Sequence, residues 1–252
     1  MKYNKSMDIN IKQTEKVMNQ VRHELKYLIN PAELMALQRR IENVAELDKH
    51  CKGGAPYHIR SLYFDDMNDS AFYDKLDGVK DRDKYRIRIY NLSDEVIFME
   101  RKRKVGDLIQ KDAVRITRRL CDQIIAGDPT GLHKAASPLL QDVYVQMRTK
   151  LLHPAVIVDY SRMAYIYVAE HVRITFDLDV RSGLFNKDLF DPNVPTVSPF
   201  DANLQVLEVK FDRALPANIE AAIAGTSANR SAVSKYALCR RFEPLQADAW
   251  LI

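Results

Sequence analysis

The chain has 252 residues, 46% of them hydrophobic and 29% charged, with a net charge of +4. That length and composition fit one large domain with a sizeable core and exclude a polybasic nucleic-acid tail, so a strong positive field must come from arrangement, not excess. Three cysteines, Cys51, Cys121 and Cys239, lie far apart without metal or CxxC spacing, which fits a reducing cytoplasm.

The N-terminal stretch MKYNKSMDINIKQTEKVMNQ lacks the apolar core of a signal peptide. Residues 1–20 read as a polar tail or surface helix, and residues 21–252 as one domain. No segment has the ~18 apolar residues of a membrane span, so the expectation is a soluble cytoplasmic protein. Period-two alternation predicts strands over 22–29, 59–65, 84–90, 95–104, 108–117, 155–167, 172–180 and 204–211. Helical patterns cover 31–47, 117–126, 132–150, 216–225 and 231–241. The helices fall between strand groups without strict βαβ alternation, which favours an antiparallel α+β arrangement. The segment 183–203, with Pro192, Pro195 and Pro199, reads as a long irregular loop.

One face of many strands is charged. YRIRIYN sends Arg86 and Arg88 to one side and Tyr85, Ile87 and Ile89 to the other. RHELKYLI does the same with Arg22, Glu24 and Lys26, FMERKRK with Glu100, Lys102 and Lys104, and IQKDAVRI with Lys111 and Arg115. In VRITFDLD the set is Arg173, Thr175, Asp177 and Asp179, and in LEVKF it is Glu208 and Lys210. For a single strand this pattern reads as the solvated face of a half-buried sheet. Repeated across strands whose apolar faces lie under helices, it predicts an antiparallel eight-stranded β-barrel with a polar lumen and helices packed on the outside.

A basic lumen repels itself when empty, so it calls for a polyanion. Phosphate chains suit Arg forks and Lys ammoniums from several strands. Only eight glycines occur and no glycine-rich phosphate loop is present, so side chains must hold any phosphate. The isolated acids Glu24, Glu100 and Glu208 offer oxygen ligands for a hard divalent cation bridging phosphate oxygens. The aromatics do not interleave with the bases, which argues against nucleic acid.

The blocks RHELKYLI, IRSLYFDD, YRIRIYN, MERKRK, QKDAVRI, YSRMAY, VRITFD, LEVKFD and SAVSKYALCR, in that order from residue 22 to 241, resemble the VTC (vacuolar transporter chaperone) catalytic domain. That domain is a polyphosphate polymerase of the CYTH, or triphosphate-tunnel, superfamily. The resemblance implies an eight-stranded tunnel whose late-strand glutamate, here Glu208, coordinates Mn2+ or Mg2+, with Glu24 and Glu100 as helpers through water. It implies ATP and polyphosphate or triphosphate as substrates, with Arg60, Arg86, Arg88, Lys102, Arg162 and Arg173 spreading transition-state charge. Lys26, Lys111, Lys210, Ser234 and Lys235 would bind the chain. Triphosphate hydrolysis, or capture of polyphosphate without turnover, are alternatives on the same tunnel.

Asp177 and Asp179 read as structural, compensated by Arg173 and Arg181; His23, His58, His133, His153 and His171 read as non-catalytic. One departure stands out: family members can carry another base just before the Ser-Lys pair, whereas here Ser231, Ala232 and Val233 precede it and Arg230 is the nearest base. The membrane spans and phosphate-sensing domain of the eukaryotic complexes have no counterpart in these residues. The expectation is therefore a stand-alone tunnel domain that works alone or beside a membrane partner.

Overall fold

Asn30 begins the first helix by reciprocal capping: its side chain accepts from the Glu33 amide at 3.0 Å, and Glu33 accepts from the Asn30 amide at 2.9 Å. This computed structural model describes residues 23–106, 108–200, 203–225 and 233–242. The expected tail 1–20, Arg22 and the start of the expected last helix at 231–232 lie outside the described residues. Around that cap stand β1 (His23–Ile29) and α1 (Pro31–Ile41), with Pro31 in the first turn.

Eight strands carry one curled antiparallel sheet: β1, β3 (Tyr57–Asp65), β4 (Arg82–Tyr90), β5 (Ser93–Val105), β6 (Leu108–Ile116), β7 (His153–Tyr167), β8 (Val172–Ser182) and β9 (Gln205–Phe211). Their order across the sheet is β1, β9, β8, β7, β3, β4, β5, β6, and a two-residue strand β2 (Glu46–Leu47) adds to β7. The expected helix over 31–47 therefore stops at Ile41, because the chain must extend to reach β7. Among the described residues β1 and β6 share no backbone ladder. Instead Lys102 on β5 reaches Glu24 on β1 at 3.3 Å, joining the two halves of the curl through side chains.

Asn91 and Leu92 both have positive φ, 51° and 56°, the signature of a two-residue hairpin turn between β4 and β5. That tight turn fixes the register Arg86 opposite Glu100 and Lys84 opposite Lys102. Two apolar layers cover the convex side. Ile87, Ile89, Ile97 and Met99 pack beneath α3 (Arg118–Ile125) and α4 (Pro138–Thr149). Ile174, Phe176, Leu207 and Val209 pack beneath α1 and α5 (Ala217–Ile223). Each such aliphatic side chain contributes about 1.5–3 kcal/mol by leaving water.

α6 (Lys235–Arg240) lies on the other side of the sheet. Tyr236 and Cys239 pack with Ile59, Val156, Val158, Val180 and Val206, which alternate with convex-side residues on their strands. The concave face is thus apolar where α6 covers it and charged beyond. A helix absent from the sequence reading, α2 (Ser70–Leu76), starts next to this point. Its first amides are satisfied by Asp65, which accepts from Ala71 at 2.8 Å and Phe72 at 3.1 Å. Asp65 also takes the Tyr236 hydroxyl and Arg240, so one buried carboxylate ties α2 to α6.

Candidate functional site

Cross-strand register assembles the charged residues into one lumen. Glu24 lies opposite Lys210 and Lys26 opposite Glu208 across β1 and β9; Thr175 faces Glu208 across β9 and β8. Arg162 on β7 is opposite Asp177 on β8 and Tyr57 on β3. Arg88 faces Ser61, Arg86 faces Tyr63 and Glu100, and Lys102 faces Lys111. Because directly opposed residues share a face, these pairings place β1, β3, β4, β5, β6, β7, β8 and β9 side chains around one concave space.

Carboxylates are scarce in it and each is shared. Glu100 takes Arg86 at 2.6 Å, Lys111 at 2.7 Å and Arg88 at 3.8 Å. Glu24 takes Lys26 and Lys102, both at 3.3 Å, and Lys210 at 3.4 Å. Asp177 takes Arg162 at 2.6 Å and Lys235 at 2.5 Å, while Glu208 takes Lys210 at 2.5 Å and Lys235 at 4.0 Å. Two or three cations therefore depend on each anion, and an incoming polyanion would relieve the imbalance.

The acids are held ionised. Burial works against charge on Glu100, but Arg86, Arg88 and Lys111 hold its carboxyl well below the usual range. Burial likewise opposes ionisation of Asp177, and Arg162 and Lys235 outweigh it. At Glu208 burial is overcome by Lys210, with Lys26 and Lys235 adding to it. The lysines respond in the opposite sense: burial pushes Lys111 down to about 8 despite Glu100, and lowers Lys102 despite Glu24.

Of the residues expected at the site, Lys26, Arg86, Arg88, Lys102, Lys111, Arg162, Lys210, Ser234 and Lys235 come together here, with Glu24, Glu100 and Glu208. Arg173 stands at one end of the set, bound to Asp48 at 2.7 Å and to the Tyr57 hydroxyl at 3.4 Å. Arg60 is a correction. It lies opposite Ile89, on the convex face, and grips Asp159 through Nε at 2.8 Å and Nη2 at 2.8 Å. It also donates to the carbonyls of Leu189 and Asp191, so it fastens the 183–203 segment to the barrel wall.

The expected grouping of three glutamates is also corrected. Among the described residues no set of three or more His, Cys, Asp or Glu is placed to hold a metal. Glu100 shares no cation with Glu24 or Glu208, whereas those two share Lys210. Asp177 is compensated by Arg162 and Lys235, not by Arg173 and Arg181; Arg181 instead holds Asp179 at 3.3 Å and Thr196.

Lys84 is the inward residue that sequence reasoning passed over. It shares parity with Arg86 and Arg88 and donates to Ser234 Oγ at 3.2 Å. That parity was its signal. It brings an ammonium to the Ser-Lys end, where Ser231, Ala232 and Val233 supply none.

A curled antiparallel sheet with a shared-carboxylate basic lumen and helices on its convex side defines a tunnel-type domain with a basic interior. The VTC domain model matches residues 21–242, and the chain belongs to that family. Comparison with curated proteins gives no match. Among solved structures, a provisional adenylate cyclase of Bacillus halodurans aligns at 12% identity over 81% of this chain and 84% of that chain, with TM-score 0.46. Another provisional adenylate cyclase, from Vibrio parahaemolyticus, aligns at 12% identity over 81% and 82%, with TM-score 0.42. A Pyrococcus horikoshii protein aligns at 14% identity over 80% and 84%, with TM-score 0.38. No helix among the described residues is long and apolar enough to cross a membrane.

Proposed function

We propose that the chain is a metal-dependent polyphosphate polymerase that moves the γ-phosphoryl group of ATP onto a growing polyphosphate chain and releases ADP. The observation that carries this reading is the sharing of each lumen carboxylate by two or three cations, as at Glu100 with Arg86, Arg88 and Lys111. Phosphoryl transfer needs positioning and charge stabilisation more than covalent chemistry by the protein. Arg86, Arg88, Lys102 and Arg162 line the space and would spread charge on the transferring group, with Lys26, Lys111, Lys210 and Lys235 along the chain. The acceptor oxygen is already ionised at neutral pH, so no general base is required.

Glu24 and Glu208 fit a divalent cation. Their carboxylates already flank one positive charge, the Lys210 ammonium, at 3.4 and 2.5 Å. Mg2+ and Mn2+ are commonly held by one or two carboxylates together with phosphate oxygens. A bound ion there would neutralise phosphate charge; Lys210, which now contacts both carboxylates, would then be freed toward the chain. Glu100 has no part in that centre.

The test compares the parent with Glu208→Ala in ATP and Mn2+, with products resolved by gel electrophoresis. Long polyphosphate from the parent and none from the variant is the expected result. Phosphate release without chains would assign the tunnel to triphosphate hydrolysis instead, and equal synthesis by both proteins would remove Glu208 from the reaction.

A further inference from the structure

We infer that Lys84 and Ser234 form an anion subsite at the α6 end of the lumen, taking one phosphate group of the bound chain and coupling its capture to proton uptake. The inference rests on the phosphate-handling reading above and adds to it a residue and a linkage.

Lys84 is half-buried, and its Nζ donates to Ser234 Oγ at 3.2 Å and lies 4.9 Å over the Tyr236 ring. Among the described residues it has no carboxylate partner, unlike Lys26, Lys102, Lys111, Lys210 and Lys235. The nearest acid on β3, Asp65, is consumed by the Tyr236 hydroxyl, Arg240 and the amides of Asp66, Ala71 and Phe72. What faces Lys84 from the surrounding elements is positive: Arg82 on its own strand, Lys75 on α2, Lys102 on β5 and Lys26 on β1. Lys26 and Lys102 draw on the single carboxylate of Glu24, which Lys210 also claims.

Cations gathered this way lack their counter-ion, and an ammonium held at a hydroxyl with no carboxylate in reach is placed to receive one. Ser234 can turn its hydroxyl proton toward an incoming oxygen, so the pair offers two donors. Burial, reinforced by Arg82, Lys75, Lys102 and Lys26, pushes Lys84 down to about 7. Above neutral pH the empty site therefore holds a neutral amine. A phosphate group beside it favours the ammonium, and the proton comes from solvent.

Titration calorimetry of the full chain with inorganic triphosphate, without metal, at pH 8 and in buffers of different ionisation enthalpy, reads both affinity and protons bound. Lys84→Met should bind about tenfold or more weakly, the loss of a hydrogen bond to a charged group. Lys84→Arg keeps a permanent charge, so it should hold its affinity while binding up to one proton fewer than the parent. Protons bound by the triphosphate itself are common to all three proteins and cancel in the difference. Between pH 7 and 9 the parent should lose affinity relative to Lys84→Arg. Thermal melting confirms that both variants are folded. Parent binding with an unchanged Lys84→Met affinity, or with equal proton uptake by parent and Lys84→Arg, overturns the subsite. No binding by the parent overturns the phosphate reading itself.

Discussion

Replacing Glu100 by Gln should destabilise the empty protein and yet strengthen its hold on polyanions. Glu100 is 3% exposed and meets Arg86 at 2.6 Å, Lys111 at 2.7 Å and Arg88 at 3.8 Å. Gln removes the charge while leaving three cations in place. Breaking a buried ion pair from one side costs about 3 kcal/mol or more. In a domain of this size each kcal/mol moves Tm by about 2–4 °C, so a fall of about 6–12 °C is expected. The same change deletes a negative charge facing the chain; at about 8 Å and an effective dielectric of about 20 that repulsion is roughly 2 kcal/mol, or more than tenfold in affinity. Triphosphate at about a hundred times its Kd stabilises by about 2.7 kcal/mol, so it should recover most of the lost Tm. Scanning calorimetry with and without triphosphate, in chelator, reads both quantities. An unchanged Tm, or weaker triphosphate binding by Glu100→Gln, would refute the shared-carboxylate account.

Arg88→Ala should weaken metal-free triphosphate binding by about tenfold or more, the worth of a charge-assisted hydrogen bond, as read by calorimetry. Arg60→Ala should leave that affinity within about twofold, because the side chain faces away from the lumen; it should instead raise proteolysis within 183–203, where it holds the Leu189 and Asp191 carbonyls. Glu208→Ala should keep metal-free binding but lose the increase that Mn2+ gives the parent. Glu100, Asp177 and Glu208 all have folded pKa values below their unfolded ones. Their stabilisation is thus complete above about pH 5 and is lost as pH falls further, so the ligand-free Tm should drop as pH falls below about 5 and change little from these groups between pH 5 and 7.

Much of the barrel wall is written in alternation. Tyr85, Ile87 and Ile89 against Arg86 and Arg88 give both the strand and its two faces, and the structure buries the first set beneath α3 and α4. The same rule, applied strictly, separates Arg60 from the site, since Arg60 shares parity with Leu62 and Phe64, both in the convex core. It likewise admits Lys84. Block-by-block likeness to a family outweighed parity at both positions. What alternation does not carry is register: that Glu24 shares Lys210 with Glu208, and Glu100 does not, follows from β1 pairing with β9, a contact between opposite ends of the chain. The position of α6 is similarly illegible, because Tyr236 and Cys239 make an apolar helix face that would suit either side of a sheet; the Asp65 carboxylate at the Tyr236 hydroxyl and Arg240 settles it. α2 is too short to display a period, and its start is set by Asp65 and Asp66 side chains accepting from the amides of Ala71, Phe72 and Ser70.

The central claim is that the lumen joins phosphates. Phosphorus-31 spectra of the purified chain with ATP and Mn2+ follow every phosphorus species at once. The account predicts that signal from mid-chain phosphoanhydride phosphorus grows in step with ADP, while inorganic phosphate stays low and Glu208→Ala stays silent. ADP accompanied only by inorganic phosphate, or ATP left intact beside saturable triphosphate binding, would contradict it.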